Sequence, residues 1–348
     1  MNLKKLTFSE FVYKLKARIR SRMYSSHYKH EEWEKYARRY ASYRHSLIHK
    51  PKTGERINYL AAIPNPGAGI GHQIANWMAG YYYAKLFGLK FAHIPFSNQH
   101  KPLEPSKWDE FLGFGKDEIN YKLLVSQGYK SVRIPLFNGE NLQQVDSIRA
   151  IINSYSNQKV VFLCEQDQFL KNLPLIASDI QKKFYGASVH NEVHLDFDKD
   201  HFNIAIHVRR GDIMTDPKNP NLAMRFLCND YFDKVLTNVV EIIKPKISKP
   251  IHIFFFSQGL PNDYPEFKKF QNLHWCMDWD AQKSFLHMVY ADVLITSKSS
   301  FSYKPALLNQ NIKVCPKNFW HSYPTYDSTW ILCDNDGCFD TSKLNNCL

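Results

Sequence analysis

The chain has 348 residues, of which 44% are hydrophobic and 15% aromatic, so it is long enough for two α/β domains with packed cores. Its seven cysteines are odd in number and show no C-x-x-C spacing, which argues against a disulfide scaffold or structural zinc and favours reduced thiols in a cytoplasmic compartment. Of the net charge of +12, residues 1–56 carry +10, with 15 Lys and Arg against 5 Asp and Glu. The remaining chain is therefore nearly neutral.

The N-terminal arm, residues 1–56, is predicted to be helical. Residues 7–24 place apolar side chains at helical spacing with lysines and arginines between them, which fits a helix on an anionic membrane surface or an ordinary helix packed on the domain. The chain has no run of 18 apolar residues, so we expect no spanning helix, and lysines and arginines interrupt residues 4–22, so we expect no secretory signal. One basic cluster without a recognised binding motif does not favour a nucleic-acid partner. Residues 25–56 are predicted to form a second helical piece and a linker.

The first α/β domain is predicted over residues 57–190. Its first strand, Ile57–Ile63, runs into the glycine-rich turn Pro64–Gln73 and then the helix Ile74–Phe87. Such a turn presents backbone N–H groups to an anion or a sugar hydroxyl, or else uses glycine for its geometry alone. It departs from G-x-G-x-x-G, and no acidic residue clearly ends the next strand, so a nicotinamide cofactor is not expected. The other predicted elements are strands Lys90–Phe96, Val132–Phe137 and Val160–Glu165, helices Pro105–Phe114, Leu142–Tyr155 and Leu173–Phe184, and a loop over 186–202.

The second α/β domain is predicted over residues 191–330, followed by a C-terminal tail, 331–348. Strands that alternate with helices indicate a second parallel sheet. The predicted elements are strands 203–208, Ile251–Ser257 and Asp292–Thr296 and helices Tyr231–Ile243 and Ala281–Tyr290.

Two arginines end the first strand of this domain, in the run Ile204–Asp212. Arginine keeps its charge and presents a planar fork of donors, so Arg209 and Arg210 suit a diphosphate; an exposed Arg–Asp pair that ends a strand is the alternative. Ser299 and Ser300 follow another strand and open a helix, where hydroxyl and backbone N–H groups bind phosphate oxygens. The sequence therefore predicts a nucleoside-diphosphate site.

Several D-x-D patterns could be taken for the metal-binding motif of other nucleotide-sugar enzymes. Arg209 and Arg210 already supply the positive charge that a metal would bring, so no metal is expected and solvated acidic loops are favoured. The patterns lie at 196–198, 198–200, 278–280 and 334–336.

Three motifs together resemble a known family. His207–Val208–Arg209–Arg210–x–Asp212 is similar to the H-x-R-R-x-D motif of the α-1,2- and α-1,6-fucosyltransferases and their relatives, the nodulation and protein O-fucosyltransferases. Gly67-x-Gly69-x-Gly71-x-Gln73 is similar to their glycine loop. Ala291–Ile295 followed by Ser299–Ser300–Phe301 is similar to their C-terminal motif. The motifs occur in the family's order over about residues 57–310.

The resemblance implies a GT-B enzyme, with two Rossmann-like domains facing a cleft, that transfers a sugar from a GDP-linked donor with inversion and without a metal. By position, Arg209 would bind the β-phosphate and the departing GDP, Arg210 would orient it, and His207 would face the guanine or ribose. The remaining matched positions are Ser299 and Ser300 on the phosphate, Phe301 among the donor-binding residues, and Gly69, Gly71 and His72 toward the sugar and acceptor.

Some positions depart from the family's pattern. Gln258–Gly259 stands where relatives have two acidic residues, and Ser284 where some have an aspartate that reads guanine. The general base remains open among Asp212, Asp216 and His72, and Asp212 is equally suited to be an ion-pair partner of Arg209 or Arg210. Two further residues each have two interpretations. Arg225 lines the cleft or is an exposed arginine, and Tyr231 lines the cleft or is a core ring.

The expected function is fucose transfer from GDP-fucose to a glycan or glycolipid acceptor in surface polysaccharide or glycolipid synthesis, by a cytoplasmic enzyme at the inner face of the membrane. Two alternatives stay open. One is a GT-B transferase that uses another GDP- or nucleotide-sugar. The other is a non-catalytic nucleotide- or glycan-binding relative.

Overall fold

The computed structural model describes residues 30–49, 57–65, 68–96, 105–165, 171–192, 194–215 and 218–348. The helix predicted at 7–24, as well as Gly67 and Asp216, lies outside these ranges. Within them, no helix combines the length and the apolar character needed to cross a membrane. The chain divides into two compact units, and each contains a sheet of parallel strands with helices. The predicted α/β class with two Rossmann-like parallel sheets, the elements of a GT-B fold, is confirmed.

The first unit, unit 1, comprises the described residues within Met1–Asn65, Asn76–Pro95 and Gly115–Leu170. Its five strands pair in parallel in the order β3-β2-β1-β5-β4. The elements up to residue 165, with α4 belonging to the other unit, are α1 (His30–Ala37), α2 (Ala41–Ile48), β1 (Tyr59–Ala62), α3 (Ile70–Phe87), β2 (Lys90–His93), α4 (Pro105–Leu112), β3 (Ile119–Asn120), α5 (Tyr121–Ser126), β4 (Lys130–Arg133), α6 (Leu142–Ser154) and β5 (Val160–Cys164).

Helices α1 and α2 pack on unit 1, although the sequence predicted them as part of a separate arm. The Trp33 indole is 1% exposed and donates its Nε1–H to the Leu136 carbonyl at 2.7 Å. In α2, the His45 ring stacks on the Tyr155 ring at 3.9 Å. Helices of eight residues have little stability in isolation, so these contacts hold them in place. Residues 30–48 therefore belong to unit 1 and are not part of a separate N-terminal arm.

The second unit, unit 2, comprises the described residues within Pro66–Ala75, Phe96–Phe114 and Lys171–Leu348. It includes the first turn of α3, and it interleaves with unit 1 along the chain instead of following one boundary near residue 190. Its elements after residue 170 are α7 (Ala177–Tyr185), β6 (Phe202–His207), α8 (Pro220–Ala223), α9 (Asn229–Ile243), β7 (Ile251–Ser257), β8 (Leu273–Met277), α10 (Ala281–Tyr290), β9 (Val293–Ile295), α11 (Ser300–Leu308), β10 (Ile312–Pro316), β11 (Trp330–Cys333) and α12 (Thr341–Cys347).

The sheet of unit 2 has the doubly wound topology of a dinucleotide-binding domain. Its six parallel strands are ordered β8-β7-β6-β9-β10-β11, which is 3-2-1-4-5-6 when they are counted along the unit. The strand order reverses between β6 and β9, the strands that precede two of the predicted motifs. In such sheets, ligands bind outside the carboxyl ends of the strands at this reversal.

The end of the chain is part of the unit 2 sheet and core. Strand β11 pairs with β10, and Leu344 of α12 is fully buried in the core cluster that contains Val235 and Ile331. The tail predicted at 331–348 is thus an integral part of this unit. Strand β10 escaped prediction because Lys313 interrupts its apolar run. The structure buries this lysine and satisfies its amine with the Thr329 hydroxyl and the Asn309 carbonyl.

The packing of α1 predicts a large effect for Trp33→Ala. Truncating a buried Trp leaves a cavity, and here it also leaves the Leu136 carbonyl without its donor, so we expect a loss of about 3–5 kcal/mol in the free energy of unfolding. Urea denaturation measures this loss. The control is Leu47→Ala in α2, where the side chain is 56% exposed and little change is expected. Equal, small effects of both variants would show that α1 is not part of the folded unit.

Candidate functional site

The candidate site lies at the strand reversal of unit 2. His207 is the last residue of β6, and its Nδ1 lies 2.8 Å from the Oγ of Ser297, two residues beyond β9. This hydrogen bond joins the loops that follow two neighbouring strands. Two of the three predicted motifs therefore meet where this topology places ligands.

His207 is held as a neutral imidazole. The residue is 7% exposed, and its ring centroid lies 5.7 Å from that of Phe301. Burial, followed by the positive charges of Arg209 and Arg210, lowers the pKa of His207 to about 3. At neutral pH this ring forms hydrogen bonds and is poorly suited to accept a proton in catalysis.

The glycine loop contacts the same place. A Cβ on Gly71 would lie 2.7 Å from the backbone carbon of Ser300 and 2.8 Å from the backbone nitrogen of Phe301. Only glycine permits the first turn of α3 to approach the first turn of α11 this closely. Both helix N-termini carry partial positive charge, so their proximity favours an anion nearby. The third predicted motif thereby joins the other two.

The hydroxyls of the serine segment, residues 297–302, are oriented by hydrogen bonds. Ser299 is the N-cap of α11, and its Oγ accepts a hydrogen bond from the Phe301 N–H at 3.2 Å. The Ser300 Oγ lies 2.9 Å from the Nε2 of His321. A segment fixed in this way presents its groups to a ligand without first having to become ordered.

Arg209 forms an ion pair with Asp212, three residues along the chain. The Arg209 side chain is 27% exposed and the Asp212 side chain 62% exposed, so solvent screens the pair and it contributes at most about 1 kcal/mol. The predicted Arg–Asp pair therefore exists, and a ligand carrying more negative charge than one carboxylate can displace Asp212 from Arg209.

Arg210 points to different surroundings. Its Nη2 donates to the Asn229 Oδ1 at 2.6 Å, its Nη1 donates to the carbonyl of Arg209 at 2.8 Å, and its guanidinium carbon lies 4.8 Å from the centre of the Phe226 ring. Successive residues of an extended chain point to opposite sides, so Arg209 shares a side with His207 and Arg210 does not. The two arginines do not form the paired clamp that their adjacency suggests.

Gln258 and Gly259 pack beside this second arginine. The Gln258 Oε1 occupies the space that a Cβ on Gly211 would need, and Gly211 has a φ of +72°. Together with Arg210, these residues line an open cavity of about 650 Å³. Gln258 and Gly259, which stand where the fucosyltransferase pattern has two acidic residues, thus place an amide and a glycine against the loop that contains Gly211.

Asp280 and His287, next to Ser284 on α10, have structural roles. The Asp280 carboxylate caps α10 by accepting from the N–H groups of Gln282 and Lys283. His287 is fully buried, accepts from the Asp196 N–H and donates from its Nδ1 to the Lys283 carbonyl. Burial lowers the pKa of His287. Three more predicted residues are a buried Ser284 on α10, a core ring at Tyr231, and His72, partly exposed in the first turn of α3.

The D-x-D patterns serve local geometry. Asp198 and Asp334 accept hydrogen bonds from backbone N–H groups two residues on, as in Asx turns, and Asp280 is the cap of α10. Across the described residues, no group of three or more His, Cys, Asp or Glu side chains is placed to hold a metal ion. A metal-free mechanism remains a prediction.

Sequence reasoning missed the segment after β10, residues 317–323. His321 is buried, stacks on the Tyr303 ring at 4.4 Å and contacts Ser300. The neighbouring Trp320 lies under the guanidinium of Arg225 at 5.3 Å. The sequence did contain a signal for this segment, namely the apolar run of β10 followed by Phe319–Trp320–His321. Lys313 obscured it because it interrupts the apolar run.

The contact at Gly71 predicts a specific destabilisation. Gly71→Ala forces α3 and α11 apart, so we expect a loss of about 1–3 kcal/mol in the free energy of unfolding. Gly69→Ala is the matched control for stability, because a Cβ there meets no atom within 4 Å. Urea denaturation of both variants tests this, and equal stabilities would contradict the close packing of the two helix N-termini.

The buried, neutral His207 predicts a defined pH dependence. Its pKa is about 3 in the folded chain and lies at the ordinary value of 6.5 in the unfolded chain, so between these pH values only the unfolded chain takes up the proton. Stability should fall as the pH falls through this window, by up to about 1.4 kcal/mol per pH unit relative to His207→Asn. Urea denaturation from about pH 7 to about pH 4, within the window set by these two pKa values, compares the two proteins. Parallel profiles would mean that His207 protonates freely in the folded state.

No family model and no curated protein matches this chain. Among solved structures, it is similar to POFUT1 in complex with GDP, with 12% identity, a TM-score of 0.46, and coverage of 75% of this chain and 99% of that one. It is similar to the fucosyltransferase NodZ from Bradyrhizobium, with 12% identity, a TM-score of 0.41, and coverage of 74% and 94%. It is also similar to the E. coli heptosyltransferase WaaC, with 10% identity, a TM-score of 0.35, and coverage of 80% and 93%. At this level of identity, the likeness concerns the fold.

Proposed function

We propose that the protein is an inverting, metal-independent glycosyltransferase that transfers fucose from GDP-fucose to a glycan acceptor. The observation that carries the proposal is the convergence of three motifs at one strand reversal. His207 binds Ser297, Gly71 packs on Ser300, and Arg209 follows His207 on the same side of the chain. A doubly wound unit with helix N-termini and an arginine at this position is suited to a nucleoside diphosphate.

The chemical demand of the reaction matches these groups. As the sugar leaves, negative charge builds on the departing diphosphate, and fixed positive groups lower the barrier by stabilising that charge. Arg209 supplies a guanidinium, and the first turn of α11 supplies oriented backbone dipoles. The neutral His207 supplies a hydrogen-bonding group for the guanine or ribose.

The same geometry suggests how a base becomes available. Inversion requires a group that accepts the proton of the acceptor hydroxyl. When the diphosphate binds Arg209, the exposed Asp212 carboxylate is released from its ion pair and is available to accept a hydrogen bond from the acceptor hydroxyl. Asp212 is therefore the first candidate base, and Asp216 and His72 are the others.

The acceptor proposal rests on the sequence. A basic amphipathic pattern at residues 7–24 suits an anionic membrane surface, which is where glycolipid and surface-polysaccharide precursors are found. We therefore propose a glycan or glycolipid acceptor and a place at the inner face of the membrane. The nearly neutral charge of residues 57–348 gives no information about the acceptor.

Arg209→Ala tests the proposal. Removing a group that stabilises the transition state should lower the kcat of GDP release from GDP-fucose by about 10²–10³, with a smaller change in KM. Arg133→Ala is the control, because Arg133 is likewise an arginine paired with a carboxylate, but it is exposed and lies in unit 1. If neither variant loses activity, or if both lose it equally, the assignment of Arg209 is contradicted.

Two observations keep a second candidate open. Gln258–Gly259 and Ser284 replace acidic residues of the family's pattern, which suits another nucleotide-sugar donor or a binding protein without turnover. Calorimetry with GDP, UDP, CDP and ADP separates the donors, and release of GDP from GDP-fucose separates an enzyme from a binder. Preference for UDP would overturn the GDP-fucose assignment, and GDP binding without turnover would favour the binder.

A further inference from the structure

Arg225 is a guanidinium of unit 2 with an unmet hydrogen-bonding need, and its charge interacts with that of Arg209. It follows the short helix α8, is partly buried, and lies over the Trp320 ring at 5.3 Å. Its Nε is buried and has no hydrogen-bond partner among the described residues. A buried donor left unsatisfied costs about 1–3 kcal/mol, so an anion that binds this guanidinium would recover part of that cost.

The charges around Arg225 favour an anionic ligand. Burial, followed by the positive charge of Arg209, lowers the pKa of Arg225, and the carboxylate of Asp212 acts in the opposite sense. The like charges of the two guanidiniums repel, and one exposed carboxylate compensates them only in part. A ligand carrying two or more negative charges between them would relieve the repulsion.

One short segment connects Arg225 to the serine segment. Trp320 contacts Arg225, and the next residue, His321, contacts the Ser300 hydroxyl at the start of α11. Since Gly71 also packs on Ser300, these residues form a single contact network within unit 2. Arg225 is thereby linked, through Trp320 and His321, to the groups proposed to bind phosphate.

Arg210 is already engaged elsewhere. Asn229 and the carbonyl of Arg209 take its two terminal nitrogens, and the ring of Phe226 covers its face. We propose that Arg225, and not Arg210, is the second arginine that binds the diphosphate of the nucleotide, together with Arg209. This inference rests on the proposed function, because it concerns the same nucleotide site.

Calorimetric binding of GDP and of GMP tests the inference. GMP lacks the β-phosphate, so Arg225→Gln should weaken GDP binding by about ten- to a hundred-fold and GMP binding by much less. Arg225→Lys keeps the charge and should retain part of the preference for GDP. Arg133→Ala is the control and should bind both nucleotides like the wild type. The KM for GDP-fucose should rise in Arg225→Gln.

The outcomes separate the two proposals. If the wild type binds neither GDP nor GMP, the proposed function fails. If the wild type prefers GDP and Arg225→Gln retains the full preference, Arg225 does not bind the diphosphate and this inference is overturned. Equal weakening of GDP and GMP would indicate a structural role and also overturn it. Should Arg225→Gln not fold, Arg225→Lys decides: the inference predicts a reduced preference for GDP, and an unchanged preference contradicts it.

Discussion

The hydrogen bond between His207 and Ser297 is the interaction on which the site depends. It closes the strand reversal of unit 2, because the two residues follow β6 and β9, neighbours in space that are separated by 90 residues in sequence. Burial and two nearby arginines keep His207 neutral, so this bond can persist without bringing a charge into the core. The backbone that leaves His207 then directs Arg209, and the backbone that leaves Ser297 begins α11.

The alternation of an extended chain separates the two adjacent arginines. Ile204, Ile206 and Val208 point into one core cluster of the unit 2 sheet, and Arg210 continues that side toward Tyr264 and Asn229. Arg209 continues the side of His207 instead. Arg210 is thereby held by the protein and fixes the loop, while Arg209 keeps a weak, exchangeable ion-pair partner in Asp212. A second cation for a diphosphate therefore comes from a distant turn, at Arg225.

Much of this could be predicted from the sequence. Apolar runs that end in polar clusters identified β6, β7 and β9, and parallel strands bring their carboxyl ends to one edge, so the meeting of the loops after β6 and β9 followed from topology. The glycine loop follows β1 of the other sheet, and its contact with Ser300 did not follow from this topology. Residues whose burial depends on contacts with distant parts of the sequence were harder to predict. Lys313 is a strand residue only because Thr329 and Asn309 bind its amine, and Trp33 is a core residue only because Leu136 lies opposite. The position of Arg225 depends on Trp320, which is 95 residues away, and no local pattern encodes that contact.

The most direct measurement is a crystal structure of the protein with GDP bound. The account predicts that the diphosphate lies at the strand reversal of unit 2, with the Arg209 guanidinium and the first turn of α11 within hydrogen-bond distance of its oxygens and with Asp212 displaced from Arg209. A diphosphate bound instead in the cavity beside Arg210, or on unit 1, with the Arg209–Asp212 pair intact, would contradict it.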